Sequence, residues 1–372
     1  MNHLPTTMKA CLLVGNGGLE MLEIHNDVAV PTVVPGDVLI KVHACGMNNT
    51  DINTRTGWYS KTVGDGTTTE GATSGFDSDV DADSTWGGAP MTFPRIQGAD
   101  PAGTIVAVGD GVDTGRIGER VMVDPWLRDA EDPTDLSKAG YYGSERNGGY
   151  AEYTTAPAHH AVKVECGLSN QELATFSCSY STAENMLARA RLSDGEIIVI
   201  SGASGGVGSA LVQLAKRRGA YVIAIAGGSK LDQVRDVGPD AVIDRGVSDL
   251  ASAIKDAAPG GRVDVTADVV GGDTYTAMIA SLRRGGRYVT AGAIAAPIVD
   301  LDLRTLYLHD LELIGATVFQ APVYRNLVSY IERGEIRPLL AKVFPLDDIR
   351  EAQEQFIRKS HVGNFVIDID GT

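Results

Sequence analysis

From Glu196 onward, short apolar runs alternate with stretches of helical periodicity. EIIVISG at 196–202 reads as a buried strand, and SALVQLAKRRGA after it as a helix. YVIAIAG is a second strand, LDQVRDVG a helix, AVIDR a strand, SDLASAIKDAA a helix and RVDVTADVV a strand. TYTAMIASLRRGG then predicts a helix, and GRYVTAGA and LELIGATV two more strands. Near-continuous apolar strands separated by helices predict an α/β fold, with a parallel sheet covered on both faces. The earlier chain reads differently. From Met8 to about Val123, KACLLVG, DVLIKVHAC and GTIVAVG are strands divided by Gly, Pro and Asp. After Ala321, YRNLVSYIERGEI and PLDDIREAQEQFIRKSH predict helices and NFVIDI a closing strand. LSNQELATF begins another helix, with Ser169 as its cap.

Two polar stretches interrupt the pattern. The one between Trp58 and Pro94 is rich in Gly, Ser, Thr and Asp. It reads as a surface insertion, or as a lid over a nearby site, since long loops in compact domains are often functional. Its acidic run DSDVDAD at 77–83 lacks the Gly and terminal Glu of a calcium loop and is expected to be solvated. The second stretch is Asp124–Asn147.

The length, 372 residues, corresponds to about two domains at ~150 residues each. With 48 acidic against 32 basic residues the formal charge is −16, which disfavours nucleic acid as a partner. A phosphate-bearing ligand must therefore be held by a local device. No apolar run approaches the ~20 residues of a membrane helix. The start, MNHLPTTMKACLL, lacks the form of a signal peptide, and the four cysteines include no C-x-x-C pair. A cytoplasmic protein is expected, with residues 1–7 as a short extension.

Ala203-Ser204-Gly205-Gly206-Val207-Gly208 sits where the strand at 196–201 gives way to a helix. Gly205 lets the backbone approach a pyrophosphate, Gly208 lets the helix pack close to the strand, and the free N–H groups at the helix start face the phosphates. Ala stands at the first position of the usual G-x-G-x-x-G, but the βαβ context supports dinucleotide binding over a bare glycine turn. The next strand ends Ile225-Ala226-Gly227-Gly228 without the acid that holds a ribose 2′-hydroxyl. Ser229 and Lys230 follow, and Arg245 ends the strand after that. A hydroxyl and cations suit a 2′-phosphate, so NADP(H) is the expected cofactor.

In its ordered motifs the chain resembles the medium-chain dehydrogenase/reductase superfamily, which holds zinc alcohol dehydrogenases and zinc-independent quinone oxidoreductases. The resemblance is carried by VVPGDVLIKVHACGMNNTDINTRTGWY, FPRIQGADPAGTIVAVGDGV, GGYAEY, FSCSYSTAENML, SGASGGVGSALVQLAKRRGA, DVVGG, GGRYVTAGA and HVGNFVIDI. It covers nearly everything except 60–92 and 124–142. It implies a β-rich, chaperonin-10-like catalytic domain over 1–165 and 320–372, and a doubly wound Rossmann domain over 166–319. It also implies a nicotinamide cofactor in the cleft, touched by Asn48, Thr182, Ser204, Gly205, Gly206, Val207 and Gly208. Gly228, Ser229, Lys230, Arg245, Val270, Ala291, Gly292, Ala293 and Asn364 complete that set. Relatives usually carry Lys where Asn364 stands. A small-molecule substrate and a homodimer, paired through the strand at 311–318, are further implications.

The metal positions of the zinc branch are occupied here by Asn48, Asp100 and Cys178. One soft ligand and one weak one are too few for a catalytic zinc. The stretch matching the structural-zinc lobe, 124–147, has no cysteine. No metal of either kind is expected, and Cys178 is read as a packed core residue. Catalytic help must then come from elsewhere. Asn48 and Asp51 match the N-x-x-D of the quinone-reductase branch, and Tyr59 matches a tyrosine found there. Tyr59 can stabilise an enolate and supply its proton, Thr50 is the second candidate donor, and Asn48 can hold substrate or the nicotinamide ribose. Set against these, Asp51 can be a helix cap and Tyr59 a packing residue. Three readings stay open: an NADPH-dependent reductase of quinones or α,β-unsaturated carbonyls, a metal-free alcohol or carbonyl dehydrogenase, and a non-catalytic NADPH-binding protein.

Overall fold

The computed structural model describes residues 4–76, 83–129 and 131–371. Most of the acidic run at 77–83 lies outside them, Asp83 excepted. The later part of the chain forms the expected parallel sheet of six strands. Their spatial order is Ala241–Asp244, Tyr221–Ala226, Ile197–Ile200, Val265–Asp268, Arg287–Thr290 and Glu312–Gly315. Every neighbouring pair is parallel. Alternation along the central strand explains why all four of its residues are apolar. Ile198 and Ile200 pack with Leu211 and Leu214 of the helix Gly206–Arg217 on one face. Ile197 and Val199 pack with Ile254 and Met278 on the other. A strand buried on both faces has no polar positions to spare. The chain order reverses between the strands at 197–200 and 265–268, where ligands of such sheets bind beyond the strand C-termini.

The earlier part forms a mostly antiparallel sheet around Asp37–Met47, which pairs with Asp100–Val108, Tyr153–Pro157 and Asn364–Asp368. The last of these is the closing strand of the chain. Leu340–Pro345 pairs parallel to it, so the chain leaves this sheet, builds the parallel one, and returns. Ser169 caps its helix by accepting the Glu172 N–H at 3.2 Å.

Helices lie where the pattern predicted none, Leu303–Leu308 before the last parallel strand among them. Asn49–Thr56 follows the central strand, Thr69–Ser74 lies in the polar insertion, and Ser177–Arg189 runs through FSCSYSTAENML. Asn49–Thr56 is composed mostly of polar residues that are nonetheless buried, so its sequence carries no amphipathic signal. The insertion is anchored at both ends of a bridge. Thr67 N–H donates to the Ile294 carbonyl of the parallel-sheet domain at 2.9 Å, and Thr68 caps the helix at 69–74. Gly66 is required there, since a Cβ would lie 2.0 Å from the Ala295 carbonyl. No helix among the described residues is long and apolar enough to cross a membrane.

Candidate active site

The glycine turn is built as its sequence suggests. Gly205 caps the helix with no side-chain hydrogen bond, so the first-turn N–H groups are left to a ligand. The space beside Gly205 is open, its nearest neighbour to a built Cβ being the Gly202 carbonyl at 3.6 Å. At Gly208 a Cβ would lie 2.1 Å from that same carbonyl, which is the close helix–strand approach. Gly202, with φ +59°, takes the left-handed step that the absent first motif glycine would have supplied. Val207 is half-buried behind the turn. Ser204 receives the Gly363 N–H on its carbonyl at 3.0 Å, tying the returning segment to the turn.

A chain of hydrogen bonds leads away from this turn. Asn364 Nδ2 donates to Ser179 Oγ at 2.9 Å, Ser179 Oγ donates to Asn48 Oδ1 at 3.1 Å, and Asn48 Nδ2 donates to Asp100 Oδ2 at 2.9 Å. Gly206 faces its start, and a Cβ there would meet Ser179 Oγ at 2.4 Å and Asn364 Nδ2 at 2.6 Å. Ser179 had not been singled out. Its signal was only its place beside Cys178 in FSCSYST.

Asp51 serves as a cap. Its carboxylate accepts the Asn48 N–H at 2.8 Å, the Tyr150 hydroxyl at 2.9 Å and the Gly98 N–H at 3.3 Å. Burial pushes its carboxyl up to about 6, and these donors hold it from going further. Asp100 is more perturbed, pushed up to about 8 by burial against the pull of Asn48 and the Cys178 N–H, which it accepts at 2.7 Å. Cys178 is buried, and its thiol accepts the Tyr141 hydroxyl at 3.0 Å. Burial raises it well above a free thiol, so it stays protonated. The three positions of the zinc branch therefore carry an amide, a carboxyl engaged by two N–H donors, and a protonated thiol. This donor set does not fit zinc. No group of three or more His, Cys, Asp or Glu among the described residues is placed to hold a metal.

Above Cys178 lies an aromatic wall. Tyr59 packs on Trp86 at 4.6 Å between centroids, and Trp86 meets Trp126 at 5.3 Å and Tyr141 at 5.4 Å. Burial raises the Tyr59 hydroxyl above its ordinary value, Asn53 opposes that shift, and Cys178 and Asp51 add to it. Tyr59 and Thr50 thus share one chamber with Cys178, whose environment Thr50 also shapes. The Thr50 hydroxyl is buried and faces the Cys178 thiol. Trp86, Trp126 and Tyr141 escaped sequence reasoning. They are apolar residues inside the two stretches read as polar, and that contrast was the available signal. Thr182 lies one helical turn from Cys178.

At the far end of the cleft, Lys230 is half-buried, while Gly228, Ser229 and Arg245 are exposed. Burial and the neighbouring Arg245 both lower Lys230. Asp244 closes the preceding strand beside Arg245. Its Oδ1 accepts the Gly246 N–H at 2.9 Å, and its other oxygen would be 2.8 Å from a Cβ on Gly228. Val270, Ala291, Gly292 and Ala293 lie past the strand ends at 265–268 and 287–290. Buried Asp268 organises them by accepting the Val270 N–H at 2.8 Å, the Gly271 N–H at 3.2 Å and the Tyr288 hydroxyl at 2.8 Å.

A doubly wound parallel sheet with a glycine turn, joined to a β-rich domain that closes over it, defines a dinucleotide-dependent oxidoreductase class. Residues 34–166 match the alcohol dehydrogenase GroES-like domain family, and 206–333 match the zinc-binding dehydrogenase family. The chain belongs to the medium-chain dehydrogenase/reductase superfamily, whose members use nicotinamide cofactors. It is 27% identical to human quinone oxidoreductase over 363 residues, 95% of each chain. It is 28% identical to an alcohol dehydrogenase of Geobacillus stearothermophilus, covering 92% of this chain and 95% of that one. The solved structure of a candidate alcohol dehydrogenase from Sinorhizobium meliloti 1021 is 48% identical, with a TM-score of 0.89 over 99% of this chain and 98% of the other.

Proposed function

We propose that this oxidoreductase is a cytoplasmic, zinc-independent enzyme that transfers hydride from NADPH to a quinone or an α,β-unsaturated carbonyl. The observation that carries the reading is the chamber itself. It joins two hydroxyls, those of Thr50 and Tyr59, to a donor set that does not fit zinc, and a hydrogen-bond chain links it to the glycine turn. The nicotinamide supplies the hydride when bound. Arrival of hydride at the β-carbon of an enone builds negative charge on the carbonyl oxygen, and a buried hydroxyl stabilises it. Tyr59 holds its proton firmly and serves as that donor, and Thr50 is the alternative. Asn48, fixed by Asp100 and Ser179, orients the nicotinamide ribose or substrate. The insertion, bonded to Ile294, acts as a lid that excludes water.

Preference for NADPH rests on Lys230 and Arg245. Asp244 works against a phosphate, and two cations outweigh one carboxylate. The division at 165/166 and 319/320 is part of the same reading. So is a homodimer through the edge strand Glu312–Gly315, where Leu313 is 41% exposed and Tyr307 nearby 61%. Light scattering at micromolar concentration should give twice the chain mass. The decisive assay follows NADPH consumption with a quinone, an enone and an aldehyde, and identifies the bond reduced. Turnover of the aldehyde alone favours the metal-free carbonyl dehydrogenase, in which Thr50 relays the proton. Binding of NADPH with no turnover of any electrophile leaves a non-catalytic binding protein.

A further inference from the structure

Four cationic or basic groups converge in the cleft where the returning segment meets the dinucleotide domain. Lys359 follows the helix Ile349–Ile357 and takes φ +51°, a backbone state that lysine seldom adopts. This turn brings its carbonyl onto Lys230 Nζ, which donates to it at 3.0 Å, so the two domains meet through a lysine. Lys359 Nζ points the other way and donates to Asn49 Oδ1 at the start of the helix Asn49–Thr56. His361 stands on the same turn, and its Nδ1 is buried without a hydrogen-bond partner. Arg245 is near enough to lower Lys230 by its charge.

Among the described residues, Lys359, Lys230 and Arg245 form no ion pair. Asp51, two residues beyond Asn49, is engaged by Asn48, Tyr150 and Gly98, and Asp244, beside Arg245, by Gly246. The Phe356 ring lies 4.0 Å from the Lys359 Nζ. Withdrawing a cation from water without a counter-charge is costly, so such a group marks a place built for an anionic ligand. Asn49 adjoins Asn48, whose hydrogen-bond chain runs through Ser179 to Asn364 and the glycine turn. Asn364 itself carries no charge.

We propose that Lys359 is a dinucleotide-binding residue: its ammonium pairs with the pyrophosphate held at the glycine turn, and binding is coupled to uptake of a proton by this lysine. The assignment rests on the dinucleotide reading but not on the choice between NADPH and NADH, because both carry the pyrophosphate. Burial, and then the charge of Lys230, lower the Lys359 ammonium to about 7. The same surroundings lower His361 to about 4, so it stays neutral near neutral pH. A lysine depressed in the folded state binds fewer protons than in the unfolded chain between about pH 7 and its free value. The penalty it imposes is full below that window and relaxes as pH rises through it. A pyrophosphate reverses the balance by favouring the charged form.

Calorimetric titration of the full-length protein with NADPH and with NADH, in buffers of different ionisation enthalpy, tests this. At pH 8 each cofactor should take up about 0.9 proton, and at pH 6 only about 0.1. Lys359→Met should abolish the uptake and weaken both cofactors by similar factors, tenfold or more, without lowering the melting temperature of the empty protein. Lys359→Arg, charged throughout, should bind with no uptake. Uptake that persists in Lys359→Met, or binding as tight as wild type, overturns the assignment. Failure of wild type to bind either nucleotide overturns the dinucleotide reading instead. Equal affinity for NADPH and NADH removes only the NADP preference.

Discussion

The cofactor and substrate ends of the proposed site are made in opposite ways. The cofactor end is a backbone device in which six consecutive residues, 203–208, join a strand to a helix and leave N–H groups facing outward. The substrate end is assembled from side chains far apart in the chain: Thr50, Tyr59, Trp86, Asp100, Trp126, Tyr141 and Cys178. The first end depends on the absence of side chains and tolerates little change. The second depends on packing and can be remodelled piece by piece. That contrast shows how one superfamily can keep its cofactor while its members act on different substrates.

The contrast breaks most visibly at Gly208. Gly208→Val forces a side chain against the Gly202 carbonyl, where even a Cβ would sit at 2.1 Å. It should cost about 3 kcal/mol of stability or more and abolish cofactor binding. Urea denaturation and fluorescence titration with NADPH check both, and a normally stable, cofactor-binding variant would show that the turn has room.

At the other end, Tyr59→Phe removes one hydroxyl and keeps the ring on Trp86. It should lower kcat and kcat/KM together by about a hundredfold while the NADPH Kd stays put. Near-normal turnover would assign Tyr59 to packing. If Thr50→Val instead cripples aldehyde turnover and Tyr59→Phe does nothing, the carbonyl dehydrogenase reading replaces the enone reductase.

Lys230→Ala should weaken NADPH about ten- to a hundredfold and leave NADH almost unchanged, since a charge-assisted phosphate contact contributes ~1.5–3 kcal/mol. Equal loss for both nucleotides would mean that Lys230 does not read the 2′-phosphate. The smallest effect belongs to the insertion. Trp86→Ala removes ring contacts with Tyr59, Trp126 and Tyr141, each pair contributing ~0.5–1.5 kcal/mol beyond its buried area. KM for the electrophile should rise about tenfold with cofactor affinity intact, measured by steady-state kinetics and nucleotide titration. A parallel loss of nucleotide binding would show that the wall also shapes the cofactor end.

The alternation of apolar runs and helical stretches after Glu196 determined the parallel sheet. The central strand Ile197–Ile200, buried on both faces, is apolar throughout, and that signal is local. The geometry of the glycine turn was legible for the same reason, because it follows from consecutive residues in a strand-to-helix context. The helix at 49–56 was hidden, since its polar residues are buried by partners the sequence does not reveal: Asp51 by Tyr150 and Gly98, and Arg55 by the Gly17 carbonyl at 2.7 Å and Gln353 at 2.9 Å. The insertion at 60–92 read as either surface or lid from its composition. Only the tertiary structure carried Thr67 to Ile294 and set Trp86 on Tyr59. It alone also brought Lys359 to Asn49. Periodicity records what one element buries, whereas a site formed between elements depends on distances that no stretch of chain encodes by itself.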